Sequence, residues 1–274
     1  MKASPRAPAS EPELISGDQP AAAGGAIEVA AARHSYGETQ VLDGLELRAG
    51  EHEVVGVVGP SGCGKSTLLE AIAGLRRLER GEISVGGAGA PEERLRRCAY
   101  MPQRDLLLPW LSALDNAALA PRNRGLGRRR ARALARPLFE RFGLAQFAEA
   151  RPHELSGGMR QRVAFLRTLL AGKPALLLDE PFAALDAITR AEMQSWLAAA
   201  LTQEPRTVLL VSHDVEEALY LCDRVVILSR RPARALEELR PPAPRHPDRA
   251  AAVSAPEFSA LRERALAALR GGAR

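Results

Sequence analysis

No apolar run in this 274-residue chain approaches the roughly eighteen residues that a bilayer-spanning helix needs, which excludes a membrane span. The N-terminus lacks the apolar stretch of a signal peptide. Residues 1–25, MKASPRAPASEPELISGDQPAAAGG, read instead as a disordered Ala/Pro-rich tail. Cysteine is scarce: Cys63, Cys98 and Cys222 are odd in number and lack metal-ligand spacing. That excludes a disulfide framework and leaves reduced thiols in a cytosolic protein. There is no internal repeat, and no large excess of either charge, with 38 basic against 33 acidic residues. The densest basic stretch is Arg122 to Arg136. No aromatics interleave it to stack bases, so it reads first as the solvated face of a helix. A nucleic-acid contact and a contact with anionic lipid headgroups are the two other readings.

The chain is 46% hydrophobic, enough for one large domain or two tightly joined subdomains. Ile27–Ala31, Val41–Leu47, Val54–Val58 and Gly81–Val85 read as strands, with Gly37 and Gly50 as punctuation. Residues 106–171 read mainly as helix. Ala131, Leu134, Leu138 and Phe142 share one face, with a bend expected at Pro137. Met159, Val163, Leu166 and Leu170 form the next stripe, closed by Gly172 and Pro174. Buried-type strands at Ala175–Leu178 and Thr207–Val211 flank a helix over roughly 187–201, and this alternation implies a parallel sheet. After Arg230 the chain turns Pro- and Arg-rich. Residues 231–274 read as a surface extension or linker ending in a short amphipathic helix, Glu257–Leu269, with Leu261, Ala265 and Leu269 at helical spacing.

Two Gly-rich stretches carry the chemistry. GPSGCGKST at 59–67 fits G-x-x-x-x-G-K-[ST], preceded by a strand and followed by a helix. Its glycines let backbone N–H groups converge on phosphates, the helix start adds its positive dipole end, Lys65 reaches the β- and γ-phosphates, and Ser66 binds Mg²⁺. LLLDE at 176–180 is an apolar strand ending in two carboxylates. Asp179 is placed to hold Mg²⁺, directly or through water, and Glu180 to polarise an attacking water. The second Gly-rich stretch, LSGGMRQR at 155–162, opens an apolar-periodic helix and has almost no reactive side chains. On its own it reads equally well as a Ser-capped helix start.

Taken together and in order, these motifs resemble the ATP-binding subunits of ABC transporters over roughly residues 27–230. Tyr36 stands where that family has an aromatic that stacks on adenine. Gly59, Pro60, Ser61, Gly62, Cys63, Gly64, Lys65, Ser66 and Thr67 match its Walker A loop, with Cys63 a small filler. Gln103 matches the Q-loop glutamine, implied to reach the metal and the attacking water. Ser156, Gly157 and Gly158 lie in the signature sequence, Asp179 and Glu180 match Walker B and the catalytic glutamate, and His213 matches the H-loop histidine. AALD at 183–186 matches the D-loop, with Ala183 where Ser is commoner. By this resemblance the catalytic set is Glu180, His213, Gln103 and Lys65, and the metal set is Ser66, Gln103 and Asp179.

The resemblance implies a P-loop NTPase of the ABC ATPase type. Its RecA-like α/β core carries an antiparallel β subdomain and, over about 104–165, a helical subdomain, all within residues 26–230. It implies a homodimer around two ATP–Mg²⁺, each signature loop capping the γ-phosphate of the other subunit. Integral membrane permease subunits and a substrate-binding protein are the further expected partners, with the chain at the cytoplasmic face of the membrane. RDLLLPWLSALDNAALA resembles the nitrate, sulfonate, taurine and thiamine-precursor import group. Within it Leu106–Trp110 reads either as core or as the surface that meets the permease. Two rivals remain. One is a non-transport ABC ATPase acting on nucleic acid or ribosomes, although the chain lacks the second cassette, coiled-coil insertion or Cys pairs usual there. The other is a non-catalytic ATP-dependent dimerisation module.

Overall fold

The computed structural model describes residues 26–272. The expected disordered tail at 1–25 lies outside the described residues. The strands are β1 (Ile27–Tyr36), β2 (Thr39–Ala49), β3 (Val54–Val58), β4 (Arg80–Val85), β5 (Cys98–Met101), β6 (Ala175–Asp179), β7 (Thr207–Ser212), β8 (Arg224–Leu228) and β9 (Ala235–Leu239). The helices are α1 (Lys65–Ile72), α2 (Pro91–Arg97), α3 (Ala113–Ala117), α4 (Leu119–Asn123), α5 (Arg128–Arg141), α6 (Gly157–Leu169), α7 (Ala187–Gln203), α8 (Val215–Leu221), α9 (Arg249–Ser254) and α10 (Pro256–Gly271).

Two sheets divide the strands. The larger runs β5-β6-β7-β3-β8-β9, parallel except for β9, and the smaller is the antiparallel β2-β1-β4. VVGVV in β3, ALLLD in β6 and TVLLVS in β7 are buried at every position, as central parallel strands must be. Their alternate residues feed two cores. Val54 and Val58 join the helical side with α6, α7 and α8, whereas Val55 and Val57 join α1 and the small sheet. Gly56 sits between because α8 lies against it: a Cβ there would stand 3.0 Å from Cys222 Sγ and 3.2 Å from Ala218 Cβ.

Several expectations change. The stretch from 102 to 112 is loop, and the first helix after it begins only at Ala113. Buried Asn116 holds that loop, donating to the carbonyls of Leu108, Leu111 and Ser112 and accepting from Leu108 N–H at 2.7 Å. Leu134 is 49% exposed; the buried face of α5 is Ala131, Ala135, Leu138 and Phe139, and the helix runs on through Pro137. The arginine run is only partly a solvated face. Arg124 caps the carbonyls of Leu170 and Ala171, and Arg128 and Arg132 both bind Asp115. Residues after Arg230 return to the sheet as β9, an edge strand whose exposed ALEEL pattern hides it from a periodicity search. Phe258 and Ala265 of α10 then complete the main core.

Asp115 is the polar centre of the helical part. Its buried carboxylate receives Arg128 Nη2 at 2.6 Å and Nε at 3.0 Å, Arg132 Nη1 at 3.1 Å and Ser112 Oγ at 3.1 Å. The Arg128 bonds, ahead of Arg132 and Ser112, hold this carboxyl below its ordinary value in spite of burial. Arg128 stays solvated when its partner is removed, whereas the largely buried Arg132 loses a charged acceptor. Asp115→Ala is therefore expected to cost about 2 kcal/mol, read as a lower urea midpoint. A loss below about 0.5 kcal/mol would place the pair among surface ion pairs of no consequence.

Candidate active site

The parallel register gathers the motif residues at one rim. Val58 pairs with Ser212, Val211 with Asp179, and Leu178 with Met101, so the strand ends carrying Gly59, His213, Glu180 and Gln103 lie side by side. In open α/β sheets, ligands bind at such carboxyl ends.

The loop after β3 is shaped for an anion. Gly62 and Gly64 take φ of 74° and 123°, and a Cβ on Gly64 would stand 2.7 Å from Val41 Cγ1, so only glycine fits. No side chain caps the first amides of α1, which stay open at the positive end of the helix. Lys65 is buried, and its Nζ donates to Gly59 O at 2.7 Å and Pro60 O at 3.0 Å. An ammonium carries three donors, which leaves one for a phosphate oxygen. Arg231 Nε donates to Gly62 O at 3.0 Å and braces the loop from outside. Burial pushes the Cys63 thiol up, as befits a filler and not a nucleophile.

Asp179 is 2% exposed and its Oδ2 has no hydrogen-bond partner. Burial pushes its carboxyl up, against the pull of the Ser66 hydroxyl and Lys65. A buried, unsatisfied carboxylate oxygen beside a hydroxyl fits the oxygen donor set of a hard cation such as Mg²⁺. Glu180 follows at φ 49°, a conformation that costs a residue with a Cβ about 1 kcal/mol or more. Four contacts impose it. Its N–H donates to Val211 O at 2.9 Å, and its carbonyl accepts from Gln161 Nε2 at 3.4 Å. Its Oε2 accepts from Gln103 Nε2 at 3.1 Å and stands 3.2 Å from His213 Nδ1.

Tyr36 lies half-exposed at the end of β1, its hydroxyl 3.3 Å from Thr67 Oγ1 and its ring under the Arg76 guanidinium at 4.8 Å. Ser156 caps α6 by accepting from Met159 N–H at 3.2 Å, and Ser156 and Gly157 are exposed. Among the described residues, no hydrogen bond or ion pair joins Ser156–Gly158 to the 59–67 loop. The structure thus brings Lys65, Asp179, Glu180, Gln103 and His213 to one rim, and among the described residues leaves Ser156–Gly158 unconnected to the phosphate loop.

Residues 42–183 match the ABC transporter family. A taurine import ATP-binding protein of Chromobacterium violaceum is 45% identical over 82% of this chain and 88% of its own. An aliphatic sulfonates import ATP-binding protein of Rhodococcus jostii is 50% identical over 72% and 76% respectively. The chain belongs to the ABC transporter family. Among solved structures, the dimeric ATP-binding cassette MJ0796 bound to ADP and Pi superposes with a TM-score of 0.73 at 28% identity, covering 79% of this chain and 99% of that one. The fold is therefore that of an ABC ATPase, a P-loop NTPase. The family match takes in Lys65, Gln103, Ser156, Asp179 and Glu180, while Tyr36 and His213 lie outside its span.

Several residues to which no motif gave a role also shape the site. Arg160 Nε binds Asp105 Oδ2 at 3.0 Å, and Arg167 donates to the carbonyls of Asp105 and Leu106, tying the segment after Gln103 to α6. Their i, i+7 spacing was the only signal available in the sequence. Below His213, Glu217 of α8 is buried and pushed up from 4.5 to about 7 by burial, against hydrogen bonds from Ser212 and Gln194. Between those two values the folded chain keeps a proton that the unfolded chain has lost, so stability falls as pH rises through that window. The slope approaches about 1.4 kcal/mol per pH unit for this one group. Urea unfolding across the window, for wild type and Glu217→Gln, should show a flatter pH dependence in the variant; equal slopes would show that Glu217 ionises freely.

Proposed function

We propose that the chain is the ATP-hydrolysing subunit of an ABC importer for a small solute of the nitrate, sulfonate, taurine or pyrimidine-precursor kind. The carrying observation is the Glu180 carboxylate, held between Gln103 and His213 at the rim that also carries Lys65 and the unsatisfied Asp179 oxygen. Lys65 and the loop amides from Gly59 to Thr67 bind the β- and γ-phosphates, and the tethered ring of Tyr36 takes the base. Ser66, Asp179 and the Gln103 amide oxygen would hold Mg²⁺, which supplies charge neutralisation on the phosphates when bound. Glu180 accepts the proton of the attacking water, and His213 donates toward the γ-phosphate.

The N-terminus of α6, capped only by its own exposed Ser156, suits a phosphate arriving on another chain. Two copies then pack head to tail, each signature loop over the other's Walker A loop, and loss of the γ-phosphate releases the pair. The likeness to a dimeric cassette supports this arrangement. Integral permease subunits are the second partner, with the chain peripheral at the cytoplasmic face of the membrane and a substrate-binding protein completing the transporter. In support, the curated relatives are named as import proteins, and among the described residues no helix is long and apolar enough to cross a membrane. The permease contact is assigned to the loop after Gln103. Leu107 is core, but Leu106 and Trp110 are 60% and 65% exposed. An exposed apolar pair with an aromatic anchor marks a partner site.

Glu180→Gln keeps the shape and loses the base. ATP hydrolysis should fall about a hundredfold or more, while gel filtration with ATP and Mg²⁺ shows a dimer that the wild type forms only transiently. Hydrolysis at the wild-type rate would remove Glu180 from the role of base. Trp110→Ala should leave the melting temperature within about 2 °C, as surface substitutions do, and weaken pull-down of the permease. A large loss of melting temperature with pull-down intact would return the tryptophan to the core.

A further inference from the structure

A buried polar chain runs from the C-terminal segment to the turn that carries His213. Arg249, at the start of α9, donates from Nε to Gln194 Oε1 at 3.1 Å, and its Nη2 binds Glu216 Oε1 at 2.9 Å. Gln194, 1% exposed on α7, donates from Nε2 to Glu217 Oε2 at 2.9 Å. Glu217, 3% exposed on α8, donates its own N–H to Asp214 Oδ1 at 3.3 Å, beside the Glu216 N–H on the same oxygen at 2.9 Å. Ser212 Oγ then accepts the Asp214 N–H at 2.9 Å, closing the turn over His213. Three elements distant in sequence are thereby joined, and no motif includes Gln194 or Arg249.

A packing role alone is served as well by apolar side chains of the same volume. A carboxylic acid and an amide are retained here in nearly full burial, where every polar atom must find a partner. Their partners converge on one backbone turn, and that turn sets where the His213 ring stands relative to Glu180. We propose that Glu217, Gln194 and Arg249 are positioning residues that fix the Ser212–Asp214 turn and so aim His213, making the C-terminal segment part of the ATPase machinery. The inference rests on the reading of His213 given above.

The test compares the full chain with its Arg249→Ala, Gln194→Ala and Glu217→Ala variants by hydrogen–deuterium exchange without nucleotide. Steady-state ATP hydrolysis is measured alongside. The expected result is exchange about tenfold faster at residues 212–214, with β3 and β6 unchanged, and kcat lowered about tenfold at a KM for ATP within about threefold. Glu217→Gln, which preserves shape and hydrogen bonding, should restore most of kcat. Exchange at 212–214 equal to wild type overturns the proposal, and so does faster exchange with kcat unchanged. If Glu217→Ala unfolds the core, Arg249→Ala, at the partly exposed end of the polar network, decides. A wild type that hydrolyses no ATP contradicts the proposed function, and the exchange measurement still decides whether the C-terminal segment orders the turn.

Discussion

Parallel pairing of β6, β7 and β3 is the constraint on which the rest depends. Parallel strands in register end together, and their loops leave from the same edge. A slip of one residue between β6 and β7 would reverse the faces of Asp179 and its neighbours, carrying the unsatisfied carboxylate oxygen away from Ser66. Register is fixed by burial on both faces, which leaves β3, β6 and β7 no exposed position to trade. The same burial explains the cost concentrated at the rim. Asp179 is desolvated, Lys65 is held by two carbonyls, and Glu180 sits in the left-handed region. Strain of this kind persists only where the surroundings over-determine it, and four contacts on Glu180 do so.

The Walker A loop, the carboxylate pair and the signature stretch were legible because their chemistry demands fixed residues at fixed spacing. Only glycine fits at Gly64, and an apolar strand that ends in two successive carboxylates has them at the rim of the sheet. The core strands were legible as apolar runs. What escaped was whatever depends on partners distant in sequence. Asn116 belongs to no motif, and only its bonds to the 108–112 loop reveal what it does. Gln194 and Glu217 sit in helices whose periodicity places them inside, where a sequence reading expects apolar side chains. β9 escaped because an edge strand needs few buried residues, and Leu239 alone of its five is buried. Leu134 was misassigned by about one helical step. The buried arc of α5 widens toward Phe139, on the side away from Leu134.

The C-terminal segment illustrates how a surface-like composition can serve a core. Arg224, only 6% exposed, is held by Glu53 at 3.0 Å and by Glu238 of β9 at 2.8 Å. Arg245 binds Asp223 at 2.6 Å, and Phe258 reaches the main core. Arginines on both sides of the seam seat this stretch, because a guanidinium can span from an exposed backbone to a carboxylate near the core. Proline and arginine content measured the exposure of the backbone and missed the reach of the side chains.

The contacts along α6 give the last step. A straight helix rises about 1.5 Å per residue, so Ser156 and Arg167 lie about 16 Å apart on one rigid rod. The N-terminus of that rod presents the Gly157 and Gly158 amides beside the Ser156 cap. Further along, Arg160 and Arg167 grip Asp105 and Leu106, which lie between Gln103 and Trp110. Asn116 then clamps the loop from its other side. A phosphate drawn onto Ser156 by a second subunit cannot shift α6 without carrying Leu106 and Trp110 with it, unless three charge-assisted hydrogen bonds are first broken. Each such bond is worth roughly 1.5–3 kcal/mol, more than thermal motion supplies. In the proposed dimer, closure around ATP and displacement of the permease-facing loop are therefore one mechanical event, and Gln103, at the near end of the same loop, shares it through its bond to Glu180.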